Sequence, residues 1–455
     1  MTGQSSTLSF YGGTGSVTGA NFVLDTGDLK IAIDCGLEQG VQHGIGDPNR
    51  SPFAYDPRSI DVLFITHAHI DHIGRVPKFV HEGFSGPIYS TPATNEIAQL
   101  MFDDALGIMQ GEYREHGLPL MYDAHDAARA LSQWRTIEYH EPLALEEGIE
   151  VRLLDAGHVL GSAMIRMTRS DRTIVFTGDL GNTPTPILRD TEPLKGADYL
   201  LIESVYGDRV HEHRDMRQAV LRDMIEGARK RGGTLMIPAF SLERTQVILY
   251  EINTLIQNGM EPIDIYLDSP LATRINAVYR RHTTDFNDTA RARAAKSDIF
   301  TFPKLHVSAH PADSDAIKDA PNPKVIIAGS GMSHGGRILG HEQHFLSDPN
   351  AALLFVGYQA AGTAGRRIQE GEKKVRIDGE WVTVRAHIDT LHGYSGHKDR
   401  DGLLEVVEGT AATLEKVFVA MGEPRSAQFL AQRIHDFLGL DAIAPKEGDS
   451  FPIRF

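Results

Sequence analysis

The segment FITHAHIDHIGRVP constrains this chain more than any other. It places His67, His69, Asp71 and His72 directly after an apolar run that reads as a strand, so all four share one strand-end loop and can aim at one point. His67 and His69, two apart, offer imidazole nitrogens to one ion, while Asp71 and His72 face a second. The bland alternative is a set of loop histidines tied up in hydrogen bonds, and four potential ligands packed into six positions argue against it. An ion held by His and Asp with a position left open activates water, so the cluster points to metal-dependent hydrolysis. With 21 histidines in the chain a lone His says little, and only spacing carries weight.

The 455 residues, 41% of them apolar, are enough for two compact units at roughly 150 residues per domain. The single cysteine, Cys35, excludes a disulfide framework and any multi-cysteine metal site, which leaves His and carboxylates as ligands. No apolar run reaches about eighteen residues, and the first residues lack the charged start and apolar stretch of a secretory signal, so the expectation is a cytoplasmic protein without a membrane partner. A net charge of −16 argues against coating nucleic acid by bulk electrostatics, yet a nuclease needs only a local basic groove, and its metal ions add positive charge.

Residues 7–75 read as short strands closed by Gly, Asp or polar clusters, residues 95–135 as helices, and IEVRLLDAGHV, AMIRMTR, TIVFTGDLG and ADYLLIES as strands again. Strands, helices, strands fit a sheet sandwich with helices outside. From about residue 208 helices and strands alternate, which predicts a parallel α/β unit. The chain then returns to β character at WVTVRAHIDTLHGYSGH. One domain is therefore expected inside another, with the outer one at 1–207 and 372–455 and the inserted one at 208–371.

Two later strand-end loops carry more candidate ligands, His158 in LLDAGHVLGSA and Asp179 in IVFTGDLGN, flanked by glycines that admit close backbone approach. A carboxylate such as Asp179 can bridge two cations. In this order the residues resemble the metallo-β-lactamase superfamily, whose HxHxDH signature is met by His67, His69, Asp71 and His72. The resemblance implies an αββα sandwich in which His67, His69 and His158 hold one zinc ion, Asp71 and His72 hold another, and Asp179 bridges them. It also implies that Asp34, in IAIDCGLEQG, orients the ligand loop without binding metal. Zinc suits such a site and lowers the pKa of bound water to about 7.

Glu203 in LLIESVYGDR and His397 in GYSGHKD resemble the first two motifs of the β-CASP subgroup, nucleases related to the cleavage and polyadenylation specificity factor endonuclease. PAFSLERTQ, YLDSPLA, GSGMSHGGR and GYQAAGTAGR also resemble that subgroup, so the likeness spans essentially the whole chain. It implies attack of metal-activated hydroxide on an RNA phosphodiester, with Asp71 in the catalytic set, His397 protonating the leaving oxygen and Glu203 orienting His397. The alternative for this last pair is an ordinary interdomain salt bridge. In the inserted unit, Ser330, Gly331, Gly335, Gly336 and Arg337 form a Gly-rich turn able to offer N–H groups and a guanidinium to phosphate, and Arg244 opens a helix after the PAF strand. The unit is expected to wall the substrate.

One position departs from the subgroup. After KVFVA its RNA-cleaving members read His-Gly-Glu, and this chain has Met421, Gly422 and Glu423. A thioether is a poor partner for zinc, so the second ion is expected to be weakly held, unless another histidine such as His392 replaces the missing imidazole. Met421 also leaves open a DNA nuclease, since DNA-processing members carry an apolar residue here, or a catalytically weakened nucleic-acid-binding subunit. RNA is the expected partner, with single-stranded DNA second; the C-terminal helix ending in LAQRIHDFLG packs either internally or across a homodimer.

Overall fold

The structure is a computed structural model that describes residues 5–39, 47–211, 216–333, 335–357, 359 and 362–455, with the backbone alone at residue 392. The chain divides into two compact units, Met1–Val210 with His397–Phe455, and His211–Gly396.

The first unit is built on two seven-stranded sheets. One begins with the antiparallel strands Ser450–Arg454, Ser5–Gly12, Asn21–Asp25 and Lys30–Ile33, then turns parallel through Val62–Phe64, Ile88–Ser90 and Trp134–Thr136. The other runs Ala442–Ile443, Lys416–Val419, Tyr199–Ile202, Arg172–Phe176, Ala163–Arg169, Ile149–Asp155 and Leu143–Ala144. Alternate residues of both sheets, among them Leu8, Phe10, Phe22, Phe64, Leu153, Ile165, Phe176 and Phe418, fill the space between them. The opposite face of the second sheet, with Met164, Val175, Leu200 and Val417, is covered by the helices Arg400–Glu408 and Pro424–Leu438 through Leu403, Leu430 and Ile434. The helices Pro92–His116 and Ala124–Gln133 lie beside the first sheet, where Phe102 meets Trp134. This is the expected αββα sandwich.

The second unit is a parallel sheet of six strands, Leu305–Val307, Asp264–Asp268, Lys324–Ala328, Thr234–Pro238, Ala352–Phe355 and His387–Thr390. Its central strands TLMIP, KVIIA and ALLF are buried at every residue, as a sheet covered on both faces requires. A hairpin, Lys374–Ile377 with Glu380–Thr383, sets Val375, Ile377 and Val382 into the same core as Phe345 and Ile368. Residues 374–390, read from the sequence as the return to the outer domain, therefore fold with the inserted sheet, because His387–Thr390 pairs in parallel with Ala352–Phe355. Among the described residues no helix is long and apolar enough to cross a membrane.

Candidate metal centre

Every ligand candidate of the first unit sits just past the end of a strand. The strand Val62–Phe64 delivers Thr66, His67 and His69, and one helical turn, Ile70–Ile73, carries Asp71 and His72. Backbone bonds pin this loop to the neighbouring strand end: Ala20 N–H donates to Asp71 O at 3.0 Å and Cys35 N–H to His72 O at 2.8 Å. Gly36 makes the approach possible, because a Cβ there would lie 1.5 Å from Asp71 O. Asp155 ends the strand before His158, Phe176 the strand before Asp179, and Ile202 the strand before Glu203.

Asp34 follows Lys30–Ile33 in a left-handed conformation, φ +57°. Its buried carboxylate accepts from Thr66 N–H and Thr66 Oγ1 at 2.8 Å each and from His72 Nδ1 at 2.7 Å. The Thr66 hydroxyl, having donated to Asp34, accepts from His67 Nδ1 at 3.1 Å. One carboxylate therefore sets the tautomer of two histidines, leaving Nε2 of each as the lone-pair atom. Sequence reasoning missed Thr66, whose only signal is its place directly before His67.

The freed atoms converge. His67 Nε2 lies 3.1 Å from His69 Nδ1, His158 Nε2 lies 3.2 Å from the same atom, and both Nε2 atoms stand 3.6 Å from Asp179 Oδ2. Ligands at about 2.0–2.1 Å around a tetrahedral zinc ion are roughly 3.3 Å apart, so these four atoms trace the edges of such a polyhedron. The other Asp179 oxygen, Oδ1, is 3.4 Å from His72 Nε2; both atoms are buried, and among the described residues neither makes a well-aligned hydrogen bond. Two orphaned buried polar atoms at ligand spacing fit a second cation. Asp71, half-buried, has its carboxyl pushed up to about 6, first by burial, against the pull of His72. Among the described residues the groups whose ligand atoms close within 4.8 Å of one another are His67, His69, His158 and Asp179, and Asp179, Glu203 and His397, so neither Asp71 nor His72 falls in one.

Electrostatics agree. Burial and the charge of His72 hold His67 well below its ordinary value, as a neutral ligand. Burial opposes ionisation of Asp179, but His72 and His397 outweigh it and hold the carboxyl well below the usual range. Burial likewise opposes charge on His72, and Asp179 and Asp34 overcome it, raising that imidazole well above its ordinary value, so a proton competes with a cation for its Nε2. The centre is a well of negative charge that draws positive charge in.

Glu203 and His397 meet at its rim. Glu203 is fully buried; Oε1 accepts from Leu180 N–H at 2.7 Å and from His397 Nδ1 at 3.1 Å, and Oε2 accepts from Val205 N–H at 3.3 Å. Burial lowers His397, but Glu203 and then Asp179 raise it to about 9. Nδ1 of His397 is 3.9 Å from Asp179 Oδ2, and its ring stands 4.6 Å from that of His158. Both residues lie within the first unit, so the pair is not an ion pair between the units.

Met421 sits past the end of Lys416–Val419, buried, at φ +45°, with its N–H donating to Gly13 O at 2.6 Å. It belongs to the core between the sheets. The side chain of His392 lies outside the described residues.

The remaining candidates belong to the second unit. Arg337 Nη1 donates to Asp268 Oδ1 at 2.7 Å, and Asp268, fully buried, also accepts from His341 Nε2 at 2.7 Å and Ser314 Oγ at 2.9 Å. The guanidinium expected to meet a phosphate is thus ion-paired. In the Gly-rich turn Ser330 N–H donates to Gly335 O at 3.1 Å, and Gly331 O accepts from Gln359 Nε2 at 2.9 Å. Arg244 is buried against Glu243, Nη2 to Oε2 3.2 Å.

Comparison with known proteins places these features in order along the chain. Residues 30–238 match the beta-lactamase superfamily domain, residues 245–368 the Beta-Casp domain, and residues 381–445 the Zn-dependent metallo-hydrolase RNA specificity domain. The chain is 39% identical over 402 residues to Ribonuclease TTHA0252 of Thermus thermophilus, covering 88% of this chain and 90% of that one. It is 30% identical over 456 residues to the transcription termination factor FttA of Methanosarcina mazei, covering 95% and 69%. A crystal structure of a protein of unknown function from Enterococcus faecalis shares the fold at TM-score 0.56 and 13% identity, over 99% of this chain and 100% of that one.

Proposed function

The chain belongs to the β-CASP branch of the metallo-β-lactamase superfamily and is an RNA-acting metal-dependent hydrolase, and from that premise we propose that it is a zinc ribonuclease with His397 as general acid. The observation that carries this reading is the polyhedron of His67, His69, His158 and Asp179 with the Glu203–His397 pair beside it. His67, His69 and His158 would hold one zinc ion, Asp71 and His72 a second, and Asp179 would give one oxygen to each. When bound, the ions supply an activated water and neutralise charge on a phosphodiester.

The chain's own groups do the rest. Asp34, through Thr66 and directly, keeps His67 and His72 in the tautomer that presents Nε2. Glu203 holds His397 by Nδ1 and favours its protonated form, which leaves Nε2–H to donate to the departing oxygen. Met421 puts a thioether where the subgroup's ribonucleases have an imidazole, which favours a loosely held second ion.

The test is to incubate zinc-loaded protein with end-labelled single-stranded RNA and matched DNA, with Asp71→Ala as control, while measuring metal content. Cleavage of RNA in preference to DNA, lost in the variant, is expected. DNA cleavage alone overturns the substrate, and no cleavage by protein carrying two ions overturns the enzyme reading.

A further inference from the structure

The chain has two tryptophans, and they are placed oppositely. Trp134 is buried, with Nε1 donating to Ser90 Oγ at 2.8 Å. Trp381 is 63% exposed, more than any other large apolar side chain among the described residues. It stands on the hairpin Lys374–Ile377 and Glu380–Thr383, whose inward residues Val375, Ile377 and Val382 are spent on the core. The outward face holds Lys374, Arg376, Trp381 and Thr383, all exposed, with Arg376 directly across from Trp381 and Lys374 across from Thr383. Lys374 Nζ lies 5.6 Å from the indole centroid, and Arg376 Nε donates to Gly379 O at 2.9 Å, which anchors the guanidinium on the hairpin. Lys373 and Arg385, both exposed, flank it. Within the two paired strands no carboxylate shares that face: Asp378 lies in the turn, the alternation of the strand sets Glu380 opposite to Trp381, and the nearest exposed carboxylate before the hairpin, Glu372, precedes its first strand by two residues.

An exposed indole among cations is costly for a chain of net charge −16 to display without use, because it adds nothing to the core. Its chemistry matches single-stranded nucleic acid, in which bases stack on aromatic faces and the backbone follows positive charge. We propose that this hairpin is a docking platform for a single-stranded stretch of RNA outside the metal centre, with a base on Trp381 and phosphates at Lys374 and Arg376. The proposal rests on RNA being the substrate.

The experiment uses the full chain carrying Asp71→Ala to prevent turnover and Trp134→Phe to leave Trp381 as the one indole. Its emission is followed during titration with an oligouridylate of about 12 nucleotides, and anisotropy of a labelled copy reports binding independently. Saturable quenching is expected, with affinity about 5- to 150-fold weaker in Trp381→Ala and largely restored in Trp381→Phe. Lys374→Glu and Arg376→Glu should each weaken binding and flatten its salt dependence by about 0.7 in logarithmic slope. Bound RNA with unchanged indole emission, or unchanged affinity in Trp381→Ala, overturns the platform. If native protein still cleaves RNA in that case, the ribonuclease reading survives. Quenching by RNA that the zinc-loaded native chain never cleaves has the reverse meaning.

Discussion

Asp34→Asn tests the logic of the centre at a residue that touches neither metal nor substrate in the proposed arrangement. The native carboxylate receives three hydrogen bonds, from Thr66 N–H, Thr66 Oγ1 and His72 Nδ1. An amide of the same shape keeps one oxygen and replaces the other by a donor. With the oxygen on Thr66 N–H, the NH2 faces His72 Nδ1, which must turn from donor to acceptor, so its proton moves to Nε2, the atom 3.4 Å from Asp179 Oδ1. The same NH2 faces Thr66 Oγ1. That hydroxyl must then donate to His67 Nδ1, protonating His67 Nε2 in turn. Each inversion trades away a hydrogen bond to a charged group, worth about 1.5–3 kcal/mol, or about 10- to 150-fold in affinity for a cation. That range overlaps the 10- to 100-fold loss typical of removing such an outer partner. Competition against a chromophoric chelator should show both ions weakened while the variant still unfolds cooperatively in excess zinc. Native affinity for both would refute the hydrogen-bond chain, and loss at one alone would confine it to the histidine of that half.

Glu203→Gln removes the first of the charges that lift His397 to about 9, so the limb of the pH–rate profile that falls as His397 deprotonates should move to lower pH by about 1–3 units. An unmoved limb, or normal turnover in His397→Ala with its metal intact, would discard the general-acid role. Glu342 is fully buried, with Oε1 accepting from Ser333 Oγ and Oε2 without a partner among the described residues, and burial pushes its carboxyl up to about 8. The folded state then binds a proton that the unfolded chain releases above the ordinary value of 4.5, so stability falls as pH rises from there through 8, by at most about 5 kcal/mol. Glu342→Gln should flatten that slope in denaturant midpoints taken across the range, and an unchanged slope would count against it. Met421→His should raise zinc content toward two ions per chain by elemental analysis; no rise would show that the imidazole is not what the second ion lacks.

The ligand cluster was legible because four of its members fall within six residues, and because strand ends deliver His158, Asp179 and Glu203 to the same edge of one sandwich. Thr66 was not, since a hydroxyl before a histidine has no spacing to betray it. Strand character at WVTVRAHIDT was equally readable, but period-two alternation names a strand and not its neighbour, and the pairing with Ala352–Phe355 moves that segment into the second unit. Arg337 was expected to be open to phosphate. Its partner Asp268 and the third member, His341 on the helix Ile338–Phe345, are separated by 73 residues, a distance over which no local pattern links them.

In the proposed arrangement the two halves of the centre would be coupled, which bears on what Met421 would cost. Asp179 faces His67 and His158 with Oδ2 and His72 with Oδ1, and Asp34 orients one histidine on each side. On the proposed arrangement a half formed by Asp71, His72 and Asp179 would have three ligands, and three protein ligands with an open position are the usual composition of a catalytic zinc site, where closed structural sites have four. Two of those three are carboxylates, whose charge offsets a divalent cation. Exchanging a fourth, neutral ligand for a thioether would therefore remove affinity without removing the electrostatic reason for an ion to bind. The bridging carboxylate would add its own condition: among the described residues Oδ1 of Asp179 is buried without a hydrogen-bond partner, so a cation held beside it would offset the cost of burying it.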